Sequence, residues 1–328
     1  MSQLRRLGNT TIQVSPVALG CWPIAGVTTL GVSEAESLVT LAACFELGVN
    51  FLDTAYCYGL QGESERLIAR AIAGRRDQVV IATKGGIHWK APGQQAHDAS
   101  PAILKRECDE SLRRLETDHV ELYYLHAPDP QVQVAESAGA IADLIAAGKV
   151  RAAGVSNVGV SQLAEFAAAC PLTAYQPPYN MLQRDIEEAA LPWCREHNVS
   201  VLVYWPLMKG LLAGKLQRDH VFPPGDGRAK YPMFQGEEWQ KNQDFLDQLR
   251  QIATEAGRTV AQVVINWTIH QPGITAALCG ARRPDQIRDN AGGMALADGT
   301  PWQLSAEQLA RIDAALAARG KAITRRAV

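Results

Sequence analysis

Apolar runs of the β-strand type alternate with amphipathic helical patterns along the whole chain. Predicted strands rich in Val, Ala, Leu and Tyr include residues 79–83, 120–125, 150–156 and 200–204, and a helical pattern follows each of them. This alternation is typical of βα units that build a parallel sheet. Eight such units can be placed, so the pattern predicts an α/β fold, a closed (β/α)8 TIM barrel that forms one domain over residues 1–328.

Three elements are expected outside the repeat. A short N-terminal β-hairpin is predicted over residues 3–7 and 11–14, with its turn between them. Two additional helices are predicted at residues 260–270 and 305–319, because their apolar periodicity has no strand directly before it.

Boundaries inside the repeat follow from apolar periodicity and turn residues. The sixth helix is predicted at residues 185–197 and the seventh at residues 240–256. Ser33, followed three residues later by Glu36, has the spacing of a capping box and predicts the start of the first helix. Residues 85–99, which contain Gly, Pro and Gln, are predicted to be a loop.

Four side chains of complementary chemistry lie just beyond three predicted strands: Asp53, Tyr58, Lys84 and His126. Because the carboxyl ends of barrel strands share one rim, we expect these side chains to converge. A phenol can donate a proton to a carbonyl oxygen, a neighbouring ammonium lowers the pKa of that phenol, and a carboxylate can orient the ammonium. An imidazole can donate a second hydrogen bond to the same oxygen. Each residue alone could be a loop cap, a packed ring or a rim charge, but the set favours a catalytic site.

These residues lie in motifs that resemble, in the same order, those of the aldo-keto reductase family. The motifs are Asp53-Thr54-Ala55-x-x-Tyr58-Gly59, Thr83-Lys84, Leu125-His126-x-Pro128-Asp129, Gly154-Val155-Ser156-Asn157, Pro206-Leu207-x-x-Gly210-Leu211-Leu212 and Gly280-Ala281-Arg282. The resemblance covers nearly the whole chain and implies an oxidoreductase that moves hydride between NADP(H) and an aldehyde or ketone, a sugar aldehyde being one candidate. It also implies that Tyr58, rather than Tyr56, is the acid for reduction and the base for oxidation.

The resemblance distributes the cofactor site over the later strand ends. Ser156, Asn157 and Gln176 offer hydroxyl and amide groups suited to a nicotinamide carboxamide, and Tyr204 offers a ring for its face. Gly210 allows the backbone to approach a pyrophosphate closely. The full set is Gly20, Trp22, Asp53, Ser156, Asn157, Gln176, Tyr204, Trp205, Pro206, Leu207, Lys209, Gly210, Leu211, Lys215, Gly280, Arg282, Arg283, Gln286 and Asn290.

The preference between the two nicotinamide cofactors depends on a pair of arginines. Arg282 and Arg283 open a predicted helix, and arginines at a helix N-terminus form a natural anion site. In the family, the residues that bind the 2′-phosphate lie at this position, so the resemblance implies NADP(H) rather than NAD(H). The chain departs from many relatives at Gln286, where a basic residue often sits, and at Met208 and Lys209, which replace a Gly-Arg pair.

Four aromatic residues follow strand ends and are expected to line a substrate pocket: Trp22, Tyr56, Trp89 and Trp205. Trp205 stands where many relatives have Ser, which would narrow the pocket beside the nicotinamide. Cys57 lies among them and is expected to be an inert small residue.

The composition excludes several other classes of protein. The chain has 47% hydrophobic residues and a net charge of −2, which gives no sign of nucleic-acid or membrane binding. Seven cysteines without a Cys-x-x-Cys pair, and an N-terminus without an apolar run, predict reduced thiols and a cytoplasmic location. Neither a Gly-x-Gly-x-x-Gly motif nor a metal-ligand spacing occurs, so no metal is expected. The expected partner is a small carbonyl or alcohol substrate, and the oligomeric state is left open.

Two other functions are compatible with these residues. Lys84 could be the amine of a Schiff-base lyase on the same barrel, although Asp53 would keep that amine protonated. The chain could also be a cofactor-binding regulatory subunit, since the resemblance extends to the β-subunits of potassium channels.

Overall fold

Among residues 4–27 and 29–323, which the computed structural model describes, eight parallel strands form a closed barrel and four short strands form two hairpins. In chain order the strands are β1 (Arg5–Arg6), β2 (Gln13–Val14), β3 (Val17–Gly20), β4 (Phe51–Asp53), β5 (Val80–Gly85), β6 (Ile87–Ala91), β7 (Gln94–His97), β8 (Val120–Leu125), β9 (Val150–Ser156), β10 (Leu172–Gln176), β11 (Ser200–Tyr204) and β12 (Ile274–Gly280). The barrel runs β3, β4, β5, β8, β9, β10, β11, β12, and β12 pairs with β3 to close it. The predicted (β/α)8 barrel is confirmed.

Ten α-helices follow or cover the strands in the described part of the chain. They are α1 (Glu34–Glu46), α2 (Glu63–Ile72), α3 (Pro101–Leu115), α4 (Val134–Ala146), α5 (Val160–Ala169), α6 (Ala190–Glu196), α7 (Gly236–Glu255), α8 (Val260–Ile269), α9 (Pro284–Ala291) and α10 (Ala306–Arg319). The hydroxyl of Ser33 accepts a 3.2 Å hydrogen bond from the backbone N–H of Glu36, which fixes the start of α1 as predicted. None of these helices is long and apolar enough to cross a membrane.

The hairpin β1–β2 closes one end of the barrel. Its residues Leu7 and Val14 are fully buried and pack with inward-facing side chains such as Phe51 and Tyr124. The backbone N–H of Gly8 donates a 2.8 Å hydrogen bond to the hydroxyl of Ser200, the first residue of β11. The hairpin therefore covers the N-terminal ends of the strands, and a site can open only at their C-terminal ends. The predicted hairpin is confirmed within the described residues, and residue 3 of its predicted first strand lies outside them.

The assignment of the two helices that precede β12 is wrong. The sequence pattern predicted residues 240–256 as the barrel helix and residues 260–270 as the additional one. In the structure α8 packs against β12 and α9, whereas α7 packs against α8 and α10. Nearly every residue of α8 is buried, so it fits the layer that covers the barrel, and the more polar α7 lies outside it.

Residues 85–99 do not form a simple loop, because they contain the antiparallel hairpin β6–β7. Pro92 and Gly93 lie at its tip, and Gly93 has φ of 80°, a left-handed conformation that Gly adopts without steric cost. The backbone N–H of Asp98 donates to the carbonyl of Gly86 at 3.0 Å and closes the base of the hairpin. The hairpin therefore projects from the C-terminal rim of the barrel, directly after Lys84 and Gly85.

The helix predicted at residues 185–197 is divided in the structure. A short 3-10 turn spans Asp185–Glu187, and α6 begins only at Ala190. Pro192 then falls in the first helical turn, where a missing N–H costs nothing, whereas a continuous helix from residue 185 would place it in the interior. The position of Pro192 explains the shorter helix.

Candidate active site

A buried ion pair lies at the C-terminal rim of the barrel. The ammonium of Lys84, at the end of β5, donates to Asp53 Oδ1 at 2.6 Å and to the backbone carbonyl of Thr54 at 2.7 Å. Lys84 is completely buried and Asp53 is 2% exposed. Burial raises the pKa of Asp53, and the charge and hydrogen bond of Lys84 oppose that shift. The pair is therefore held in a fixed geometry away from water.

Tyr58 and His126 complete the group of four. Lys84 Nζ lies 4.9 Å from the centroid of the Tyr58 ring, and the ring centroids of Tyr58 and His126 are 6.0 Å apart. Trp22 packs edge-on against the Tyr58 ring, with the two centroids 5.0 Å apart. The structure thus brings together all four side chains that the strand ends predicted.

The expected direction of the Tyr58 pKa shift is wrong for this structure. Burial raises the pKa of Tyr58 well above 10, and the Asp53 carboxylate adds to the increase. The Lys84 ammonium alone would lower the pKa of Tyr58, but burial and Asp53 outweigh it. The phenol is consequently protonated at neutral pH, which is the form that can donate a proton.

His126 is held as a neutral imidazole. Burial, followed by the positive charge of Lys84, lowers the pKa of His126 well below 6.5. The Asn157 side chain donates a 2.9 Å hydrogen bond to the backbone carbonyl of His126, and the Cys57 thiol lies 3.7 Å from its Nδ1. Burial raises the pKa of Cys57 to about 12, so its thiol is inert as expected. A neutral imidazole can still donate one hydrogen bond.

Tyr56 does not line the barrel mouth, contrary to the sequence analysis. Its hydroxyl donates a 2.6 Å hydrogen bond to Glu110 of α3, and the Arg114 guanidinium lies 4.2 Å from its ring centroid. The ring therefore points to the outer helix layer. Trp89 donates its indole N–H to the carbonyl of Cys57 at 2.8 Å, and its ring packs against the same small buried cluster as Tyr58.

The hydroxyl and amide side chains predicted to bind the nicotinamide lie next to the ion pair. The Gln176 side chain donates to Asp53 Oδ2 at 2.8 Å, and the Ser156 hydroxyl donates to the backbone carbonyl of Gln176 at 2.8 Å. The Tyr204 hydroxyl donates to Asn157 Oδ1 at 2.8 Å. These contacts link the ends of β9, β10 and β11 to the catalytic group.

The segment after β11 has an unusual backbone. Trp205, Met208 and Lys209 have φ of 58°, 43° and 56°, and Gly210 has φ of 88°. The Lys209 ammonium lies between two rings, 4.6 Å from the centroid of Trp205 and 4.9 Å from that of Tyr231. Non-glycine residues in this conformation are costly and concentrate at functional sites. Pro206 and Leu211 are buried within the same turn, whereas Leu207 is half-buried.

Two glycines lie at the rim beside the ion pair. Gly20 pairs with Gly280 on one side and with Asp53 on the other, so all three lie at one level of the barrel. A Cβ on Gly280 would lie 3.1 Å from the Pro23 ring. The Gly280 backbone is therefore packed closely against the Pro23 ring.

The basic side chains predicted to bind the cofactor near α9 already have partners on the protein. Arg282 donates to the carbonyl of Leu30 at 2.5 Å, and Arg283 forms a 3.1 Å ion pair with Asp285. Lys215 forms a 2.9 Å ion pair with Asp289, so its predicted role at a pyrophosphate requires that contact to open.

Two further residues of α9 that were assigned to the cofactor also have partners on the protein. The Gln286 side chain accepts from the backbone N–H of Arg282 at 2.9 Å. The Asn290 side chain donates to the carbonyl of Gly280 at 3.4 Å and is 3% exposed. Both residues therefore hold the start of α9 against the end of β12.

The donor set fits a nicotinamide dinucleotide. Amides and a hydroxyl surround the ion pair, the turn 205–210 exposes a glycine backbone, and two arginines stand at the start of a helix. Polar hydrogen-bonding groups at one end and positive charge at the other match a carboxamide, a pyrophosphate and a 2′-phosphate.

Two aromatic residues in contact with predicted site residues were not themselves predicted. Tyr231 lies in the long connection before α7, where no periodic pattern marks it. Tyr124 on β8 was detectable, because Leu122, Tyr124 and His126 alternate and the period of a strand places them on one face. The alternation of residues along β8 therefore identifies Tyr124 as an inward-facing residue near His126.

A parallel barrel whose C-terminal rim carries an acid, a phenol, an ammonium and an imidazole is typical of a TIM-barrel enzyme. The sequence profile of the Aldo/keto reductase family matches residues 16–317. The chain belongs to the aldo/keto reductase family of oxidoreductases, which use nicotinamide cofactors.

Two characterised sequences illustrate the relationship. The chain is 38% identical over 304 residues to aldo-keto reductase YhdN of Bacillus subtilis (strain 168), with 92% of this chain and 89% of that protein covered. It is 32% identical over 324 residues to the NADH-specific methylglyoxal reductase of Escherichia coli (strain K12), with 93% and 98% covered.

Two solved structures share the fold over almost their whole length. A glycerol dehydrogenase from Gluconobacter oxydans superimposes with a TM-score of 0.89 at 33% identity, covering 99% of this chain and 98% of that chain. An aldo/keto reductase from Klebsiella pneumoniae, solved with NADP and acetate, superimposes with a TM-score of 0.73 at 27% identity, covering 100% and 98%.

Proposed function

We propose that the protein catalyses NADP(H)-linked reduction of an aldehyde or ketone, and the reverse oxidation of the alcohol. The observation that carries this proposal is the buried Lys84–Asp53 pair with Tyr58 and His126 beside it. One protonated phenol and one neutral imidazole then face the same rim position, where a carbonyl oxygen can receive hydrogen bonds from both.

Each of the four side chains has a separate role in the proposed reaction. Tyr58 donates its proton to the carbonyl oxygen, and a phenolate remains that the Lys84 ammonium stabilises. His126 donates a hydrogen bond to the same oxygen and orients it. Asp53 keeps Lys84 charged and in place. When bound, the reduced nicotinamide supplies the hydride that the carbonyl carbon accepts.

The cofactor preference is proposed for NADP(H). Arg282 and Arg283 at the start of α9 supply the positive charge that a 2′-phosphate requires. The relative from Klebsiella pneumoniae was solved with NADP, which supports this choice, while the relative from Escherichia coli is named NADH-specific. The two cofactors must therefore be compared directly on this chain.

Small oxygenated carbonyl compounds are the proposed substrates. Relatives are named for glycerol and for methylglyoxal, which are both short and polar. The Trp22 ring contacts Tyr58, and Trp89 packs against the same small cluster as Tyr58. These flat rings can support the carbon skeleton of a small hydroxyaldehyde or sugar aldehyde.

Of the two other functions considered from the sequence, the lyase receives less support. A Schiff-base lyase would need a nucleophilic amine, but the Lys84 amine is completely buried and donates to a carboxylate and to a carbonyl. A regulatory subunit would bind the cofactor without turnover.

The decisive assay measures oxidation of NADPH and NADH by the purified protein with methylglyoxal, glyceraldehyde, a longer sugar aldehyde, an aromatic aldehyde and a ketone. We expect turnover with at least one short aldehyde and a lower KM for NADPH than for NADH. Tight NADPH binding without turnover on any of these compounds would contradict the proposal and favour the regulatory function. Trapping of a substrate on Lys84 by borohydride would favour the lyase.

A further inference from the structure

Tyr124 lies beside the catalytic lysine on the inner surface of the barrel. In the parallel ladder, Lys84 of β5 is the direct partner of Tyr124 on β8, and Tyr124 is the direct partner of Gly154 on β9. The Tyr124 side chain is completely buried and belongs to the cluster that fills the barrel interior. It has no part in the proton transfer proposed above.

The Lys84 ammonium is in contact with two aromatic rings. Its Nζ lies 4.9 Å from the centroid of the Tyr58 ring and 5.7 Å from that of the Tyr124 ring. A ring face attracts a cation within about 6 Å, and the attraction is stronger when water is excluded. The carboxylate of Asp53 and the carbonyl of Thr54 fix the hydrogen-bonding directions of the same ammonium.

The neighbouring strand leaves space for the Tyr124 ring. A Cβ at Gly154 would lie 2.4 Å from ring atoms of Tyr124. Gly154 is not among the glycines with positive φ, so its role here is to provide space rather than backbone freedom. The ring position next to Lys84 therefore depends on the absence of a side chain on β9.

The ring, rather than the hydroxyl, is the part of Tyr124 that acts on its neighbours. The buried hydroxyl makes no hydrogen bond of ordinary length among the described residues, and the nearby Gln176 side chain only partly opposes the increase that burial causes in its pKa. A buried hydroxyl without a close hydrogen bond adds little to stability, so we expect Phe to replace Tyr at this position at little cost. What the side chain does offer is an aromatic face towards Lys84.

We infer that Tyr124 is a positioning residue whose ring holds the Lys84 ammonium beside Tyr58. This inference rests on the proposed reductase function. Stabilisation of the phenolate requires the ammonium at a fixed distance, because preorganised charges act without rearrangement. A displacement of about 1 Å in such a group can reduce a rate by roughly 100-fold.

Two substitutions distinguish the effect of the aromatic ring on kcat from the effect of the volume that the side chain fills. Tyr124→Phe keeps the aromatic face, and we expect kcat within about twofold of wild type. Tyr124→Met fills similar space without an aromatic face, and kcat should fall by roughly 3- to 30-fold. The Kd for NADPH should stay unchanged in both variants, because Lys84 acts on the reaction rather than on cofactor affinity.

Fluorinated phenylalanines at position 124 provide the sharper test, and they suffice if Tyr124→Met does not fold. Successive fluorine atoms withdraw charge from the ring face while barely changing its shape. We expect kcat to fall stepwise with the number of fluorines. A purely structural ring would give the same kcat throughout the series, and that result would overturn the inference.

Tyr123 is the matched control. It is the preceding residue, it is equally buried, and its hydroxyl donates to the carbonyl of Leu104 on α3 at 3.0 Å. Tyr123→Met should lower thermal stability but leave kcat near the wild-type value. Equal losses of kcat in Tyr123→Met and Tyr124→Met would mean that the rate follows general packing. Absence of turnover in the wild-type protein would instead contradict the proposed function, so the two failures can be distinguished.

Discussion

The Lys84 ammonium and the Asp53 carboxylate are 2.6 Å apart, and both side chains are almost completely excluded from solvent. Gln176 occupies the second carboxylate oxygen and Thr54 accepts a further hydrogen bond from the ammonium. Buried ion pairs contribute little to stability compared with apolar residues of the same size. We therefore expect that a pair of this kind, at a strand end beside a phenol, serves the electrostatics of Tyr58 more than it serves folding.

Loss of the carboxylate should leave the ammonium uncompensated. We expect Asp53→Asn to lower the free energy of unfolding by roughly 3–5 kcal/mol, because a buried charge without its partner is strongly unfavourable. Urea unfolding measures the change. Asp118→Asn is a suitable control, since Asp118 bonds His119 at an exposed position. An Asp53→Asn variant as stable as this control would mean that Lys84 does not carry a buried charge.

Removal of the ammonium should change both the rate and its pH dependence. Lys84→Met should lower kcat severely, since nothing then stabilises the Tyr58 phenolate. The pKa of Tyr58 is already raised by burial, and without Lys84 it should rise further, so the alkaline decline in the residual reduction rate should move to higher pH. The pH–rate profile of the variant, measured under saturating cofactor, tests this. An unchanged profile would assign Lys84 a structural role only.

The arginines of α9 should determine cofactor choice. A charge-assisted hydrogen bond contributes roughly 1.5–3 kcal/mol, about one to two decades in affinity. The double change Arg282→Ala, Arg283→Ala should raise the Kd for NADPH by that order and leave the Kd for NADH nearly unchanged. Quenching of tryptophan fluorescence gives both constants.

The control for this experiment is Arg288→Ala, which removes an exposed arginine from the same helix. Equal losses for NADPH and NADH in the double variant would mean that the arginines support α9 or contact the pyrophosphate. If the wild-type protein preferred NADH, the neutral Gln286 would indicate the cofactor preference correctly and the two arginines would not.

The hairpin β6–β7 is tied to α3 by a carboxylate with an unusual pKa. Glu107 is completely buried, accepts from the backbone N–H of Gly86 at 2.7 Å and lies 3.0 Å from His88 Nδ1. Burial raises its pKa to about 7 from an ordinary value near 4.5. As pH rises, the Glu107 carboxyl therefore keeps its proton longer in the folded state than in the unfolded state. The stabilisation of the folded state by this proton is complete below pH 4.5 and is lost as pH rises through 7.

Glu107→Gln should remove that pH dependence. The loss in wild type amounts to roughly 3 kcal/mol across the window. His88 acts in the opposite direction, because its lowered pKa costs stability as pH falls below 6.5. As pH rises from 5 to 8, the Tm of Glu107→Gln should therefore increase relative to the Tm of the wild-type protein. Glu136→Gln, on the exposed side of α4, is the control, and an equal shift there would contradict the assignment.

The barrel and the convergence of the four side chains followed from the sequence because both depend on simple periodicities. Residues 150–156 and 200–204 coincide with β9 and β11, since each is an apolar run with polar residues or Gly at its ends. Because all strands of the parallel barrel end on the same side, Asp53, Lys84 and His126 lie at one rim. Their catalytic roles stay predictions until variants are measured.

What the sequence could not supply depends on contacts between distant elements. The ring of Tyr56 turns outward because Glu110 and Arg114 of α3 offer it partners. The pKa of Tyr58 rises because of burial, which no local pattern reports. The choice between α7 and α8 as barrel helix depends on which one packs against β12.

The central claim is that Tyr58 supplies the proton. Tyr58→Phe removes only one hydroxyl, and Tyr56→Phe is the matched control two residues away. The direct measurement is kcat for aldehyde reduction in wild type and both variants, with the Kd for NADPH measured in parallel. We expect Tyr58→Phe to lower kcat by ~10²–10⁴-fold with an unchanged Kd, while Tyr56→Phe stays near wild type. Near-normal kcat in Tyr58→Phe, with the loss in Tyr56→Phe instead, would contradict it.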